Sequence, residues 1–103
     1  MTRDEFMIRF EDGRLYVEPR ESVLFFARVG EARIRCYVPR ATLVEHFGAK
    51  DDAANAYKFC VCAYDRNREP IQRIATRLID ELKLTWDSEI SITPELIPSL
   101  AAV

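Results

Sequence analysis

The fold is decided by residues 22–38, whose sequence is SVLFFARVGEARIRCYV. Gly30 and Glu31 separate two apolar runs here, and they suit a two-residue hairpin turn. Such a turn pairs Val29 with Ala32, and every second pair beyond it places apolar or small side chains on one face of the sheet. These further pairs are Ala27 with Ile34, Phe25 with Cys36 and Val23 with Val38. The agreement predicts an antiparallel hairpin with one buried face.

The residues before this hairpin also alternate as strands do. The alternation predicts a strand on each side of Asp12 and Gly13, and Pro19 suits the turn that leads into the hairpin. The predicted strands are residues 7–10 and 14–17, and the predicted pairs on the buried face are Val17 with Val23 and Leu15 with Phe25. The first part of the chain is therefore predicted to be an antiparallel meander of three to four strands.

After residue 38 the apolar spacing becomes that of helices. A short helix is predicted with Pro39 at its first position, or alternatively with Thr42 and Glu45 as a capping box, and with Gly48 at its end. A second helix is capped by Asp51 or Asp52 and ends near Asn67, and Pro70 either starts a separate third helix or kinks a continuous one. The third helical segment carries an apolar stripe of Ile71, Ile74, Ala75, Leu78, Ile79 and Leu82.

The end of the chain carries weaker signals. Residues 89–92 alternate and predict a short strand with Ile90 and Ile92 on one face, and Thr93 with Pro94 suits a last helical turn. The prediction for residues 1–103 is a single α+β domain. It consists of the meander followed by two to three helices packed on one sheet face, with the short C-terminal strand as an optional addition.

Charge and composition narrow the functional classes. Fifteen Lys and Arg against seventeen Asp and Glu give a net charge of −2, far from the basic balance typical of duplex-binding domains. The amino terminus lacks an apolar segment behind a basic start, and the longest apolar runs are too short to cross a bilayer. The three cysteines match no disulfide framework. We therefore expect a cytoplasmic protein with no membrane partner.

One set of residues resembles a known pattern: Phe25-Phe26-Ala27, Val29-Gly30, Ile34-Arg35-Cys36, Leu43, His46-Phe47-Gly48-Ala49, Asn67-Arg68, Ile71 and Ile74-Ala75. The pattern resembles a small bacterial family, the domain of unknown function DUF1488, over roughly residues 7–97. The resemblance implies a compact α+β fold and supplies no catalytic residues. The chain departs from it at Pro39, where a helix-capping serine or similar residue is expected, and this bears on the helix start rather than on function.

The residues offer little support for catalysis. Cys36, Cys60, Cys62 and His46 are the ligand types that zinc prefers, but Cys60 and Cys62 point to different sides of a predicted helix and Cys36 lies on the core face. The sequence has no glycine-rich phosphate loop, nucleophile elbow or His-Glu-x-x-His motif. We therefore predict a non-enzymatic protein with no catalytic residues, metal site or cofactor. An enzyme is the least favoured class, and a polar-lined pocket is the feature that would support it.

The sheet face turned away from the predicted core is unusual because it is both aromatic and basic. Its candidate interaction residues are Tyr16, Leu24, Phe26, Arg28, Arg33, Arg35 and Tyr37, in rows that also include Arg14. Arg28 and Arg33 are direct neighbours, which is unfavourable unless other groups neutralise them. One interpretation is that arginine stems cover the aromatic rings, with cation–π contacts and nearby acids such as Asp12 balancing the charge.

Two functional interpretations use the same face. An apolar patch with a polar rim commonly marks a protein interface, and a two-fold homodimer is the simplest way to cover it. Aromatic rings beside arginines can also bind single-stranded nucleic acid by stacking bases and contacting phosphates. The sequence favours a non-enzymatic protein-interaction module that binds a second copy of itself as a homodimer, or otherwise another protein, with weak single-stranded nucleic-acid binding as the alternative.

Overall fold

The structure, a computed structural model, describes residues 7–97. Its elements are β1 (Ile8–Val17), β2 (Ser22–Val29), β3 (Ala32–Pro39), α1 (Arg40–His46), α2 (Ala56–Arg66), α3 (Arg68–Leu82) and β4 (Ser88–Ser91). The sheet has the order β1-β2-β3-β4, in which β1, β2 and β3 are antiparallel and β4 runs parallel to β3. The predicted α+β class is therefore confirmed, including the short C-terminal strand.

The central hairpin has the predicted register. Val29 pairs with Ala32 across a turn in which Gly30 takes a left-handed conformation, with φ of 59°. The predicted pairs that follow, Ala27 with Ile34, Phe25 with Cys36 and Val23 with Val38, all form, and each of these side chains is fully buried. Because side chains alternate along a strand, this register places every second residue of β2 and β3 against the helices.

The predicted register of β1 is wrong by one residue. Val17 pairs with Ser22 rather than Val23, because a tight 3-10 turn at Glu18–Arg20 and a left-handed Glu21 connect the two strands. A slip of one residue moves every side chain to the opposite face. Leu15, predicted to be buried opposite Phe25, consequently lies opposite Leu24 and is 48% exposed.

Asp12 and Gly13 do not form the predicted turn between two strands. They lie in a bulge within one continuous strand, because Phe10 pairs with Ala27 and Arg14 with Phe25, so residues 11–13 face Phe26 alone. A bulge of this kind bends a strand and redirects the side chains next to it. Here it keeps both Phe10 and Arg14 on the helix side of the sheet, and Phe10 packs 6.0 Å from the Phe25 ring centre.

The first helix begins differently from both predictions. Pro39 is the last residue of β3, with extended φ and ψ, and α1 begins at Arg40. Thr42 does not form a capping box, because it lies inside α1, fully buried, and its hydroxyl donates a 2.7 Å hydrogen bond to the carbonyl of Ile92. Gly48 does follow the helix end, and its φ of 72° lets the chain turn back.

Pro70 belongs to a separate third helix and does not kink a continuous one, because α2 and α3 are divided by a corner at Asn67. Asp52 caps a 3-10 turn that leads into α2, and α2 ends at Arg66. The side chain of Asn67 donates to the carbonyl oxygens of Ala63 and Phe47 at 2.8 and 3.1 Å, which holds the corner. Pro70 therefore lies in the first turn of a separate helix, α3. The predicted apolar stripe of α3 is buried except for its last member, Leu82, which is 55% exposed.

The three helices and the inner face of the sheet share one core. Phe25 lies at its centre, with its ring 4.9 Å from that of Tyr64 on α2. Ile90 on β4 and Ile92 after it are both buried, and the predicted last helical turn is a 3-10 turn, Pro94–Leu96. This packing leaves the opposite face of the sheet without helices, among the residues described.

Candidate interaction surface

Six of the seven predicted site residues lie on the sheet face turned away from the helices, which we call the open sheet face. They are Leu24, Phe26 and Arg28 on β2 and Arg33, Arg35 and Tyr37 on β3. Their exposure differs along the strands, because Leu24 and Tyr37 are only 8% and 7% exposed whereas the three arginines are exposed. The accessible part of the surface is therefore its basic end, with half-buried Phe26 at its margin.

The placement of Tyr16 on this face is wrong. The shift in the register of β1 puts Tyr16 opposite Val23 on the helix side, where its ring packs edge-on against Tyr57 at 6.4 Å. Arg14 is displaced in the same way, and its guanidinium makes two hydrogen bonds of 2.7 and 2.9 Å to the carboxylate of Asp65. The Arg14 bonds hold the pKa of Asp65 below its ordinary value. Both residues therefore join β1 to α2 instead of forming the predicted surface.

Arg9 belongs to the open sheet face, although the sequence reasoning missed it. It pairs with Arg28, which pairs with Arg33, so three arginines stand side by side across three strands. The alternation of Ile8, Arg9 and Phe10 carried the signal, because two apolar neighbours on the helix side place the residue between them on the other face. Neighbouring strands are about 4.8 Å apart, so the row concentrates positive charge.

Glu11 partly neutralises this row. Its carboxylate accepts hydrogen bonds of 2.8 and 2.9 Å from Arg33 and lies 3.7 Å from the guanidinium of Arg28. The Arg33 hydrogen bond is the main cause that lowers the pKa of Glu11. The bulge in β1 brings Glu11 to this position, so the counter-charge comes from Glu11 rather than from the predicted Asp12.

The aromatic rings of the open sheet face are covered by guanidinium groups. Arg33 lies 3.7 Å from the centre of the Phe26 ring, and Arg20 lies 3.5 Å from the centre of the Tyr37 ring. Glu89 on β4 pairs with Arg20 at 3.1 Å and with Arg35 at 3.2 Å. The predicted cation–π contacts are thus confirmed, and each of these ring faces presents a positive charge outward rather than a bare stacking surface.

The open sheet face keeps an excess of positive charge. It carries five arginines, Arg9, Arg20, Arg28, Arg33 and Arg35, against the two carboxylates of Glu11 and Glu89. Asp87 accepts from the backbone N–H of Arg33 at the edge of the sheet, and with it included the arginines still outnumber the acids. The whole chain has a net charge of −2. Positive charge is therefore concentrated on the open sheet face, and the excess of negative charge lies elsewhere on the protein.

The residues considered for metal binding or thiol catalysis do not come together. Cys36 is fully buried in the sheet, and burial raises the pKa of its thiol to about 12. Cys60 and Cys62 point to opposite sides of α2, one buried and the other exposed, while His46 is exposed in the last turn of α1. Within residues 7–97, no group of three or more His, Cys, Asp or Glu side chains is placed to hold a metal ion.

This arrangement predicts a sharp difference in thiol reactivity. At neutral pH, iodoacetamide is expected to label Cys62 in the folded protein, while Cys36 and Cys60 react only after unfolding, because thiolate and access are both needed. Mass spectrometry of the time course measures the labelled fraction at each position. Cys62→Ser, as the control, should remove the fast phase, and rapid labelling of Cys36 in the native protein would contradict the described burial.

A cavity of about 440 Å³ beside the start of α1 is the strongest candidate for a small-molecule site. The side chain of Arg40 lines this cavity. Its guanidinium forms ion pairs with the carboxylate of Glu21 at 3.1 Å and with that of Asp51 at 2.6 Å. Its lining consists of Arg20, Glu21, Pro39, Arg40, Ala41, Val44, Glu45 and Asp51. These residues include no thiol, hydroxyl or imidazole, and the guanidinium of Arg40 is already ion-paired, so the cavity offers no assembled nucleophile and base.

The chain has a mostly antiparallel sheet with helices on one face and arginines on the other. It therefore falls in the class of small α+β domains in which one sheet face is not covered by helices. Residues 8–91 match the DUF1488 family, described as proteins of unknown function, and the chain belongs to this family. The resemblance inferred from the sequence is therefore confirmed. No curated protein is significantly similar to the chain. Within residues 7–97, no helix has the length and apolar character needed to cross a membrane.

A solved structure has the same fold. It is the crystal structure of a protein of unknown function from the DUF1488 family of Shewanella loihica PV-4, with a TM-score of 0.63 and 18% sequence identity. The similarity covers 82% of this chain and 92% of that chain. At this level of identity the comparison supports the fold alone.

Proposed function

We propose that this domain is a non-enzymatic protein-interaction module that binds another protein through its open sheet face. The observation that carries the proposal is the row of Arg9, Arg28 and Arg33, which stands exposed beside half-buried Phe26. Arginine and aromatic residues are enriched in protein interfaces and dominate their binding energy. We also propose that the domain acts in the cytoplasm, where its free cysteines would stay reduced.

Another protein is favoured over a second copy of this chain. A two-fold interface apposes the same surface patch of both subunits. If two open sheet faces met, each would bring five arginines and two glutamates to the contact. Like charges brought together in an interface oppose association. We therefore expect the purified domain to remain monomeric in light scattering over a wide concentration range.

Single-stranded nucleic acid has less support as a ligand. Base stacking needs an accessible ring face, and the rings of Phe26 and Tyr37 each carry a guanidinium at 3.7 and 3.5 Å. Phosphate contacts to the arginines would remain, but on their own they give weak and sequence-independent binding. The geometry therefore favours an interaction with protein.

The proposal can be tested by site-specific photo-crosslinking in cells that produce the protein. Leu15 and Leu82 make a matched pair, because they are 48% and 55% exposed and lie on the open sheet face and at the end of α3, respectively. A photoreactive amino acid at position 15 is expected to give a defined heterologous adduct that the same probe at position 82 does not give. An Arg28→Ala, Arg35→Ala background should weaken that adduct.

Each other outcome of the crosslinking would count against the proposal. The same adducts at positions 15 and 82, or none at position 15, would contradict an interaction through the open sheet face. An adduct of twice the mass of the chain at position 15, together with a stable dimer in light scattering, would show that a second copy is the partner and overturn the preference for another protein.

A further inference from the structure

Alternate positions of β3 on the open sheet face each carry a positive group. Arg33 and Arg35 are two residues apart on the same strand and share this face. The next residue on the face, Tyr37, carries the guanidinium of Arg20 over its ring. Residues two apart on a strand are separated by about 6.6–6.8 Å, so the backbone positions 33, 35 and 37 repeat at roughly this interval. The guanidinium of Arg33 lies over Phe26 on β2, and those of Arg35 and Arg20 both contact Glu89 on β4.

We propose that the partner segment bound by this face is acidic and extended, with carboxylates at every second residue. An extended chain has the same two-residue repeat as the strand below it. A segment running along β3 can therefore place successive carboxylates within reach of the side chains of Arg33 and Arg35 and of Arg20, whose guanidinium lies over Tyr37. This inference rests on the proposed protein-interaction function and specifies the chemistry of the partner.

The arginines retain capacity for such a ligand. Each guanidinium has five N–H donors, and Glu11 accepts only two hydrogen bonds from Arg33. Glu89 is shared between Arg20 and Arg35, so one carboxylate serves two guanidinium groups. Within residues 7–97 no carboxylate is paired with Arg9. An incoming carboxylate can bind these groups without displacing Glu11 or Glu89.

The two glutamates also select the geometry of the ligand. They lie at the two sides of the arginine series, with Glu11 on β1 and Glu89 on β4, and they would repel acids placed outside the line of β3. A segment with alternating acids meets the arginines in register, while its intervening residues point away from the sheet. A cluster of consecutive acids would direct half of its carboxylates away from the arginines, because side chains alternate along an extended chain.

The test uses the whole protein and a fluorescent peptide of alternating glutamate and threonine. Anisotropy at low ionic strength should show binding that weakens as salt is added, because salt screens exposed charges. Arg33→Gln, Arg35→Gln is expected to weaken binding about tenfold, since two exposed ion pairs with the peptide are lost. The matched control, Arg66→Gln, Arg73→Gln on the helices, should bind as the unmodified protein does.

Two further ligands complete the experiment. A peptide with the same composition but with its glutamates in one block should bind more weakly than the alternating peptide. A single-stranded oligonucleotide of equal charge should also bind more weakly. Absence of peptide binding at low salt, equal loss in the control variant, or equal affinity for the block peptide would each overturn the proposal.

The outcomes separate this inference from the proposed function. If the alternating peptide does not bind while the probe at Leu15 still captures a protein, the acidic partner is wrong and the interaction module stands. If the oligonucleotide binds more tightly than the peptide and depends on Arg33 and Arg35, the face is a nucleic-acid surface. That result would overturn both proposals.

Discussion

Phe25→Ala is expected to lower the free energy of unfolding by about 3–5 kcal/mol. Phe25 is fully buried on the central strand β2, where its ring lies 4.9 Å from Tyr64 and 6.0 Å from Phe10. The substitution removes the aromatic contact between β2 and Tyr64 of α2 and leaves a cavity in the core. Because domains of this size are stable by only about 5–15 kcal/mol, urea unfolding should begin at a much lower concentration or the protein should be partly unfolded in water.

The neighbouring residue provides a matched control. Phe26 has the same side chain on the same strand but points to the open sheet face, where it is half-buried beneath Arg33. Phe26→Ala should cost only about 1–2 kcal/mol, from its partial burial and the lost cation–π contact. Equal destabilisation by the two substitutions, measured by urea unfolding, would contradict the described assignment of the two faces.

Thr42→Val is expected to lower the free energy of unfolding by about 1–3 kcal/mol, even though the two side chains have nearly the same shape. The hydroxyl of Thr42 is fully buried and donates to the carbonyl of Ile92 at 2.7 Å. Removing the donor leaves a buried carbonyl without this partner, and the cost is that of its desolvation. The substitution therefore loosens the attachment of the segment after β4 to α1.

A local measurement distinguishes this effect from general destabilisation. The amide of Ile92 donates to the carbonyl of Tyr37 at 2.8 Å, so its hydrogen exchange reports whether the segment stays docked on β3. Exchange at Ile92 should accelerate in Thr42→Val more than exchange in the hairpin of β2 and β3. Thr42→Ser, which keeps the hydroxyl and loses a methyl group, should leave this ratio near that of the unmodified protein. A uniform change at all sites would show that the hydrogen bond has no local role.

The candidate surface was predictable wherever it depended on the hairpin alone. Arg28 beside Arg33 and Phe26 beside Arg35 follow from the two-residue turn at Gly30, since each pair is determined by residues close in sequence. Arg9 could have been found from the alternation of Ile8, Arg9 and Phe10, whereas Tyr16 was misplaced because it lies beyond the bulge in β1. The register of that strand is set by a bulge and a tight turn that alternation does not reveal. Cross-strand acids were equally hidden, because Glu11 reaches Arg33 only through the bulge.

The sequence by itself determined the central hairpin, the helical segments and the face of β2 and β3 that is buried. These features arise from side-chain periodicity and from local backbone preferences at residues such as Gly30 and Gly48. Only the tertiary structure decided the face of β1 and the parallel pairing of β4. Contacts between distant residues distinguish the alternatives there: Arg14 bonds Asp65 from 51 residues away, and Thr42 bonds the Ile92 carbonyl from 50 residues away. Local patterns are compatible with either register of β1, and the register that forms is the one that gives Arg14 and Tyr16 their partners on α2.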